Sequence, residues 1–555
     1  MELKKIGMAA VVGVLFTTAF EAQGQTPLQS AAKLTDNERF EDAAKALRGI
    51  LAAEPNNGQA WFLLGENYYA NEQLDSADAA YKRGMQVDAT MPLNAVGIGK
   101  VLQAKGRTSE AKAAFDAAIA KAIDKSSKTP KPMQASVYRE VAEGLVYGDT
   151  KDPGTALEYI EKALVLDPKD AELYVVKGDA QFEQNPRDAS SPMANYKKAM
   201  EMQAANAKPI ARKAFMYYRA KNWDAAISEY TNAITMDAAF APAYRGRAEA
   251  YYFKRDFAKA TADYDKYLEL NKGNTSARVR YAQFLFLVGK HSESLALINE
   301  LQGQGVASTT LARLKGYNLV ELKDTLNAMP ALEAYFAVQP QDQVISSDLQ
   351  YYGKAVALLG NDSLAGEKLL SAARMKNADP ELFMEAGSHF QKARMFKKAT
   401  EAYRGKVHSA KVAVNDWYYL GSAANKAEEY ATADSAWAEY IKAQPNIYQG
   451  YLGRARANVG LDPEKTTWQA KPWFEEVVRK MKPEELTKSP RDAEEAYFYL
   501  GFYHFYSTKD MGMAKCWFEK VKANNAGTAN TKIAADMLLS KDLKDVKAGT
   551  CELVP

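Results

Sequence analysis

The chain has 555 residues, with Lys+Arg 72 against Asp+Glu 69 and a formal net charge of +3. Hydrophobic residues make up 47% and charged residues 25%, which excludes a disordered chain, and the near-even charge gives no electrostatic case for nucleic acid or a strongly anionic membrane. Four His and two Cys are few for a metalloenzyme or a disulfide scaffold, and no cofactor is expected.

Residues 1–24 have the layout of a secretory signal. Lys4 and Lys5 precede Ile6 to Phe20, 15 apolar residues without a charge. That run is shorter than the roughly 20 residues of a membrane span and suits a signal core. Ala22 and Gly24 put small residues at the two cleavage-reading positions, so the mature chain is expected to begin at Gln25. No Cys follows to carry a lipid, and no later stretch is comparably apolar, so a soluble exported protein is expected. A mature start at Gln resembles the signal peptides of the Bacteroidota, and that resemblance implies the periplasm.

Beyond Gln25 one small residue recurs inside an apolar, aromatic-rich helix pattern. It is Ala31, Gly65, Gly99, Gly144, Gly178, Ala214, Ala248, Ala282, Gly316, Gly353, Gly387, Gly421, Ala455 and Gly501, and nine of the successive gaps are 34. A second small residue follows twelve positions later in most units, as in Ala43, Ala77, Ala226 and Ala433. A bulky one follows four after that, as in Leu47, Tyr81, Tyr230 and Trp437. Four residues is about one helical turn, so the last two share a helix face. Each unit therefore reads as two short helices whose small residues allow close approach while the bulky side chain fills the groove beside them. One unit cannot bury its own apolar faces, so units must stack.

These slots resemble the tetratricopeptide repeat. Asn57 to Thr90 carries Trp61, Leu64, Gly65, Tyr68, Ala77 and Tyr81 in that family's consensus positions, and Val414 to Ile447 carries Trp417, Leu420, Gly421, Ala433, Trp437 and Pro445. The resemblance covers roughly residues 27 to 526. It implies an all-α, right-handed superhelical solenoid of about fourteen helix-turn-helix units with a C-terminal capping helix. Residues 25–124 read as N-terminal units, 125–136 as a polar loop, 137–481 as central units and 482–494 as a second polar loop. The last unit is 495–526, the capping helix 527–545 and the tail 546–555. The pattern weakens at Gly178, where Pro192 replaces Ala, and at Ala282, where Ser294 does.

The sequence offers no catalytic constellation. His291, His389, His408 and His504 fall in different units without metal-ligand spacing, and there is no GxSxG, no phosphate-cradling Gly loop and no HExxH. An enzyme is not expected. Cys516 and Cys551 are a candidate disulfide pair that would fasten the tail to the last unit. By the family's pattern, stacked first helices line a concave wall where protein or peptide partners bind, and residues just after the small slot face it. Tyr69, Phe215, Tyr218, Tyr252, Phe286, Phe502 and Phe505 are the resulting partner-binding candidates, since aromatics dominate hot spots. The expected function is a periplasmic scaffold for a protein or peptide partner, of the kind that serves envelope assembly or secretion; a glycan- or nutrient-binding accessory of the outer membrane is the alternative.

Overall fold

The computed structural model describes residues 26–148, 150–524 and 526–553, so the signal-like segment and Gln25 lie outside the described residues. Among the described residues the regular structure is helical throughout. The chain divides into two compact units, Met1–Leu311 and Ala312–Pro555.

In the first unit consecutive helices pack in pairs. They are α1 (Pro27–Asp36) with α2 (Phe40–Ala53), α3 (Gly58–Ala70) with α4 (Leu74–Val87), α5 (Leu93–Ala104) with α6 (Thr108–Ile123), and α7 (Lys131–Val146) with α8 (Pro153–Leu166). Then come α9 (Ala171–Gln184) with α10 (Ser190–Met202), α11 (Ala207–Arg219) with α12 (Trp223–Met236), α13 (Ala241–Phe253) with α14 (Phe257–Leu270), and α15 (Thr275–Leu287) with α16 (His291–Gly303). The chain passes through α17 (Thr309–Glu321) and α18 (Thr325–Val338) into α19 (Ser346–Leu358), α20 (Asp362–Ala373), α21 (Glu381–Lys392) and α22 (Phe396–Val407). It ends with α23 (Val414–Lys426), α24 (Tyr430–Ala443), α25 (Tyr448–Leu461), α26 (Lys471–Lys480), the short α27 (Pro483–Lys488), α28 (Pro490–Tyr503), α29 (Met511–Asn524) and α30 (Ala529–Leu539).

Local chemistry sets the helix ends. Asn57, Asp152, Asn222, Asp256 and Asn274 cap helix N-termini, each accepting a backbone N–H of the first turn. In most pairs the turn joining the two helices uses one left-handed residue. Gly106, Gly289 and Gly360 supply it in three pairs, while Glu38, Glu72, Lys221, Arg255 and Arg394 take the same conformation at a steric cost on the order of 1–2 kcal/mol.

The small slot seats a ring. A Cβ on Gly65 would stand 2.3 Å from Tyr81, and one on Gly97, in the following repeat, 2.4 Å from the same ring. Tyr81 is thus held between two glycines of neighbouring repeats, and Trp437 sits in the same way between Gly421 and Gly453. The bulky residue itself, more than the facing alanine, is what the small slot accommodates.

Three segments differ from the sequence reading. α7 begins at Lys131, inside the polar stretch 125–136, because Pro132 falls in its first turn, where its missing N–H costs nothing. The stretch 482–494 contains α27 and the start of α28, both opened by prolines at the first helical position. The terminal helix spans Ala529–Leu539 and gives way to turns before residue 545. The tail is anchored: Cys516 and Cys551 are joined, with Cα atoms 5.9 Å apart, and the Gly549 N–H donates to the Gly512 carbonyl at 2.9 Å.

Candidate functional site

The residue after the small slot carries charge in several repeats of the first unit, and the structure pairs those charges. Lys100 Nζ lies 2.6 Å from Glu66, 3.0 Å from Glu140 and 3.7 Å from Glu143, and all four side chains are at most 1% exposed. Tyr81 donates its hydroxyl to Glu66 at 2.6 Å. Burial pushes the Glu66 carboxyl up to about 6 despite the ammonium beside it. Burial also opposes the charge on Lys100, but Glu140, Glu66 and Glu143 outweigh it and hold the ammonium well above its ordinary value. The carboxylates of Glu66, Glu140 and Glu143 come within 4.8 Å of one another, a spacing that suits a metal ion, yet Lys100 already supplies the cation among them.

The network continues along the stack. Arg139 pairs with Asp170 and, at 3.2 Å, with Glu140. Lys208 joins Glu172 to Asp36, the latter at 3.4 Å. Arg212 pairs with Asp179 at 3.0 Å, and Tyr147 and Tyr196 both donate to that carboxylate. Over these repeats the wall read from the sequence as an open binding face is filled by the chain's own paired side chains.

That filling decides where the predicted residues fall. Tyr69 belongs to the buried network: Lys100 Nζ stands 5.2 Å from its ring centre, and burial pushes its phenol up to about 12. Phe286 is buried, edge-on to His291 at 5.3 Å. Phe215, Tyr218 and Tyr252 are brought together with three rings the sequence reading passed over, Trp223, Phe253 and Phe257. Phe215 stacks on Tyr218 at 6.2 Å, Tyr218 meets Trp223 at 5.4 Å and Phe253 at 5.8 Å, and Trp223 stacks on Phe253 at 4.7 Å. Tyr252 links Phe253 at 5.3 Å to Phe257 at 5.8 Å. Phe253 and Phe257 are 41% and 43% exposed, so this ridge is presented outward. A signal for it exists: Trp223 and Phe257 both open the second helix of their pair, 34 residues apart.

In the second unit, Phe502 and Phe505 lie at the end of α28 around a wide turn, His504–Thr508. Phe502 stacks on Tyr506 at 5.5 Å and meets Phe518 edge-on at 5.5 Å, while Phe505 meets Tyr506 at 4.9 Å. The same unit holds an open cleft of about 410 Å³ lined by Tyr418, Ser422, Asn425, Lys426, Trp437 and Arg456, among others. Asn425 donates to the Gly453 carbonyl at 2.8 Å, while its own Oδ1 and the Trp437 indole N–H are buried with no hydrogen-bond partner.

Comparison with known proteins matches tetratricopeptide repeat models at residues 34–93 and 141–170. Over 66 residues the chain is 32% identical to the formate-dependent nitrite reductase complex bifunctional subunit NrfFG of Haemophilus influenzae, covering 12% of this chain and 17% of that protein. The chain thus spans about a sixth of that relative's length. Similar solved structures include the C-terminal part of a TPR repeat-containing protein from Cytophaga hutchinsonii, 27% identical with TM-score 0.35 over 46% of this chain and 98% of that one. A tetratricopeptide repeat protein from Parabacteroides merdae is 18% identical with TM-score 0.34, over 43% of this chain and 93% of that one. Yeast Tom70 is 11% identical with TM-score 0.34, over 73% of this chain and 95% of that one.

Proposed function

We propose that this chain, carrying tetratricopeptide repeats, is a non-enzymatic scaffold that is exported to the periplasm and holds a protein partner there. The observation that carries the reading is the ridge of Phe215, Tyr218, Trp223, Tyr252, Phe253 and Phe257, a contiguous aromatic surface presented beside a wall that is already filled. Soluble proteins seldom expose such a patch unless it binds something, and rigid aromatic rings give large contact area at low entropic cost. Export is supported by the charged, apolar and small-residue layout of residues 1–24 and by the bond between Cys516 and Cys551, which persists in oxidising compartments.

The test is capture from an envelope fraction with the wild-type chain and with Trp223→Ala/Phe253→Ala. Loss of a specific co-purifying protein, with far-UV circular dichroism unchanged, supports the reading. Undiminished capture moves the partner elsewhere, and retention of the wild type on a polysaccharide column in place of a protein partner replaces the scaffold with a glycan binder.

A further inference from the structure

The first unit closes on itself. Residues of the first pair and of the turn after α3 reach side chains about 200 positions later. Lys33 Nζ lies 3.1 Å from Asp237, Glu38 accepts from Arg245 at 2.7 Å and from the Tyr267 hydroxyl at 3.0 Å, Asn274 donates to Asn71 at 3.2 Å, and Arg280 pairs with Glu72 at 3.0 Å.

This seam differs from the junctions between repeats that are locked by a ring. A neighbouring junction locks a ring between two glycines, as at Tyr81. Across the seam the bonds are polar. The apolar core that includes α2 runs on through Ala180 and takes in nothing later, and the cores around 207–250 and 241–284 are separate from it. A cavity of about 560 Å³ lies along the seam, lined by Gln29, Lys33, Asp36, Lys208, Asp237 and Phe240, among others. Arg245, though buried, leaves its Nε without an acceptor. An interface held by polar bonds, with a cavity along it and a buried guanidinium nitrogen left unsatisfied, holds less tightly than the stacked repeats beside it.

We propose that the first two pairs are a displaceable closure: α1–α4 swing away from α11–α15 as the polar seam parts, while every stacked pair stays folded. Parting bares Glu172, Lys208, Arg245, Tyr267 and Arg280, a charged wall that the closed unit hides. The closure is thus a gate over the inside of the first unit, set by ion pairs and independent of the aromatic ridge.

Glu41 and Gly273 face each other across the seam, with the Glu41 Cγ 3.9 Å from where a Cβ on Gly273 would stand. Spin labels on the full chain at Glu41→Cys and Lys272→Cys therefore read the gate, since Cys516 and Cys551 are bonded to each other. Closed molecules give one short distance. Glu38→Gln, which strips Arg245 and Tyr267 of their shared carboxylate, is expected to raise the long-distance population by about tenfold or more. Amide exchange in α5–α8 should stay at the wild-type rate. Glu72→Gln, whose carboxylate is at the surface, is the companion variant should Glu38→Gln not fold, and it should shift the same population less. A long-distance population that neither variant moves overturns the gate, as does faster exchange in α5–α8 to the same extent as in α1 and α2, because the unit would then be melting and not opening.

Discussion

Gly65 has no side chain because Tyr81 occupies the space one would take, so its replacement tests the packing directly. Gly65→Leu should cost about 1–3 kcal/mol or more, read as faster amide exchange in α3–α6 with α19–α24 unchanged. Lys100 is the sharper case. It is the one ammonium among Glu66, Glu140 and Glu143, so Lys100→Met leaves buried Glu66 without a cation and Glu140 and Glu143 with Arg139 alone, and should destabilise the first unit by roughly 3–5 kcal/mol. The same burial writes a pH signature. Burial pushes Glu66 up to about 6 and Asp36 up to about 7, with Glu172 adding to the rise at Asp36 while Lys208 and Arg212 oppose it. Both values lie above those of an unfolded carboxyl, so the folded chain holds these protons more tightly. The stability they contribute is complete below the ordinary carboxylate range and is lost as the pH climbs through about 6 and about 7. Glu38, Glu140 and Asp237 run the other way. Burial raises each, but Arg245, Lys100 and the Ala239 backbone N–H respectively help hold them below their usual values. Their contribution is lost on acidification below that range. Stability of the first unit, followed by exchange in α1–α13, should therefore peak near about pH 5, and Asp36→Asn should flatten the fall toward neutral pH. A wild-type profile that rises from about pH 5 to about pH 8 would contradict the assignment.

At the level of the helix, the repeat slots were legible because small, small and bulky residues must recur for close helix pairs to pack, and Ala77 with Tyr81, or Ala433 with Trp437, stand where that geometry needs them. Prolines misled where they open a helix. Pro132, Pro483 and Pro490 lie in the stretches 125–136 and 482–494 that read as polar loops, yet each falls in a first turn whose N–H groups have no intrahelical partner anyway. The aromatic ridge was half legible: the rings on first helices, Phe215, Tyr218 and Tyr252, follow from the small slot, whereas Trp223 and Phe257 required carrying the same register into the second helix. The end of the chain gives an element-scale prediction. The Cys516–Cys551 bond closes a segment with a sequence separation of 35, which chain entropy values at roughly 3–4 kcal/mol. Reduction, or Cys551→Ser, should loosen residues 540–553 and speed their proteolysis, and should lower the stability of α28–α30. Because stacked repeats couple to their neighbours, α19–α22 should melt as before; a uniform drop across the chain would argue against that coupling.

For the chain as a whole, the periodicity that reveals the pairs is silent about which distant repeats touch. Glu38 and Arg245 fill unlike slots, one in a turn and one within a first helix, and are 207 residues apart. No local pattern marks them as partners, and each reads alone as an ordinary solvated charge. Only the curvature summed over the intervening repeats brings them together. That sum has an energetic consequence. The apolar core is broken into separate clusters, each spanning a few repeats, so a packing defect should normally be felt only by adjoining pairs. The closed first unit is the exception, since its first pair has neighbours along the stack and others across the seam. Leu47→Ala in α2 and Leu369→Ala in α20 delete the same side chain from fully buried sites, each at about 2–5 kcal/mol. Leu369→Ala should quicken amide exchange in α19–α22 and fade beyond them. Leu47→Ala should do the same around α1–α4 and, in addition, in α13–α15 across the seam, with α6–α8 between them at the wild-type rate. That discontinuous pattern is the mark of long-range closure in an otherwise nearest-neighbour structure. If exchange after Leu47→Ala instead decays smoothly with distance along the chain, the seam carries no energy and the first unit behaves as an open stack.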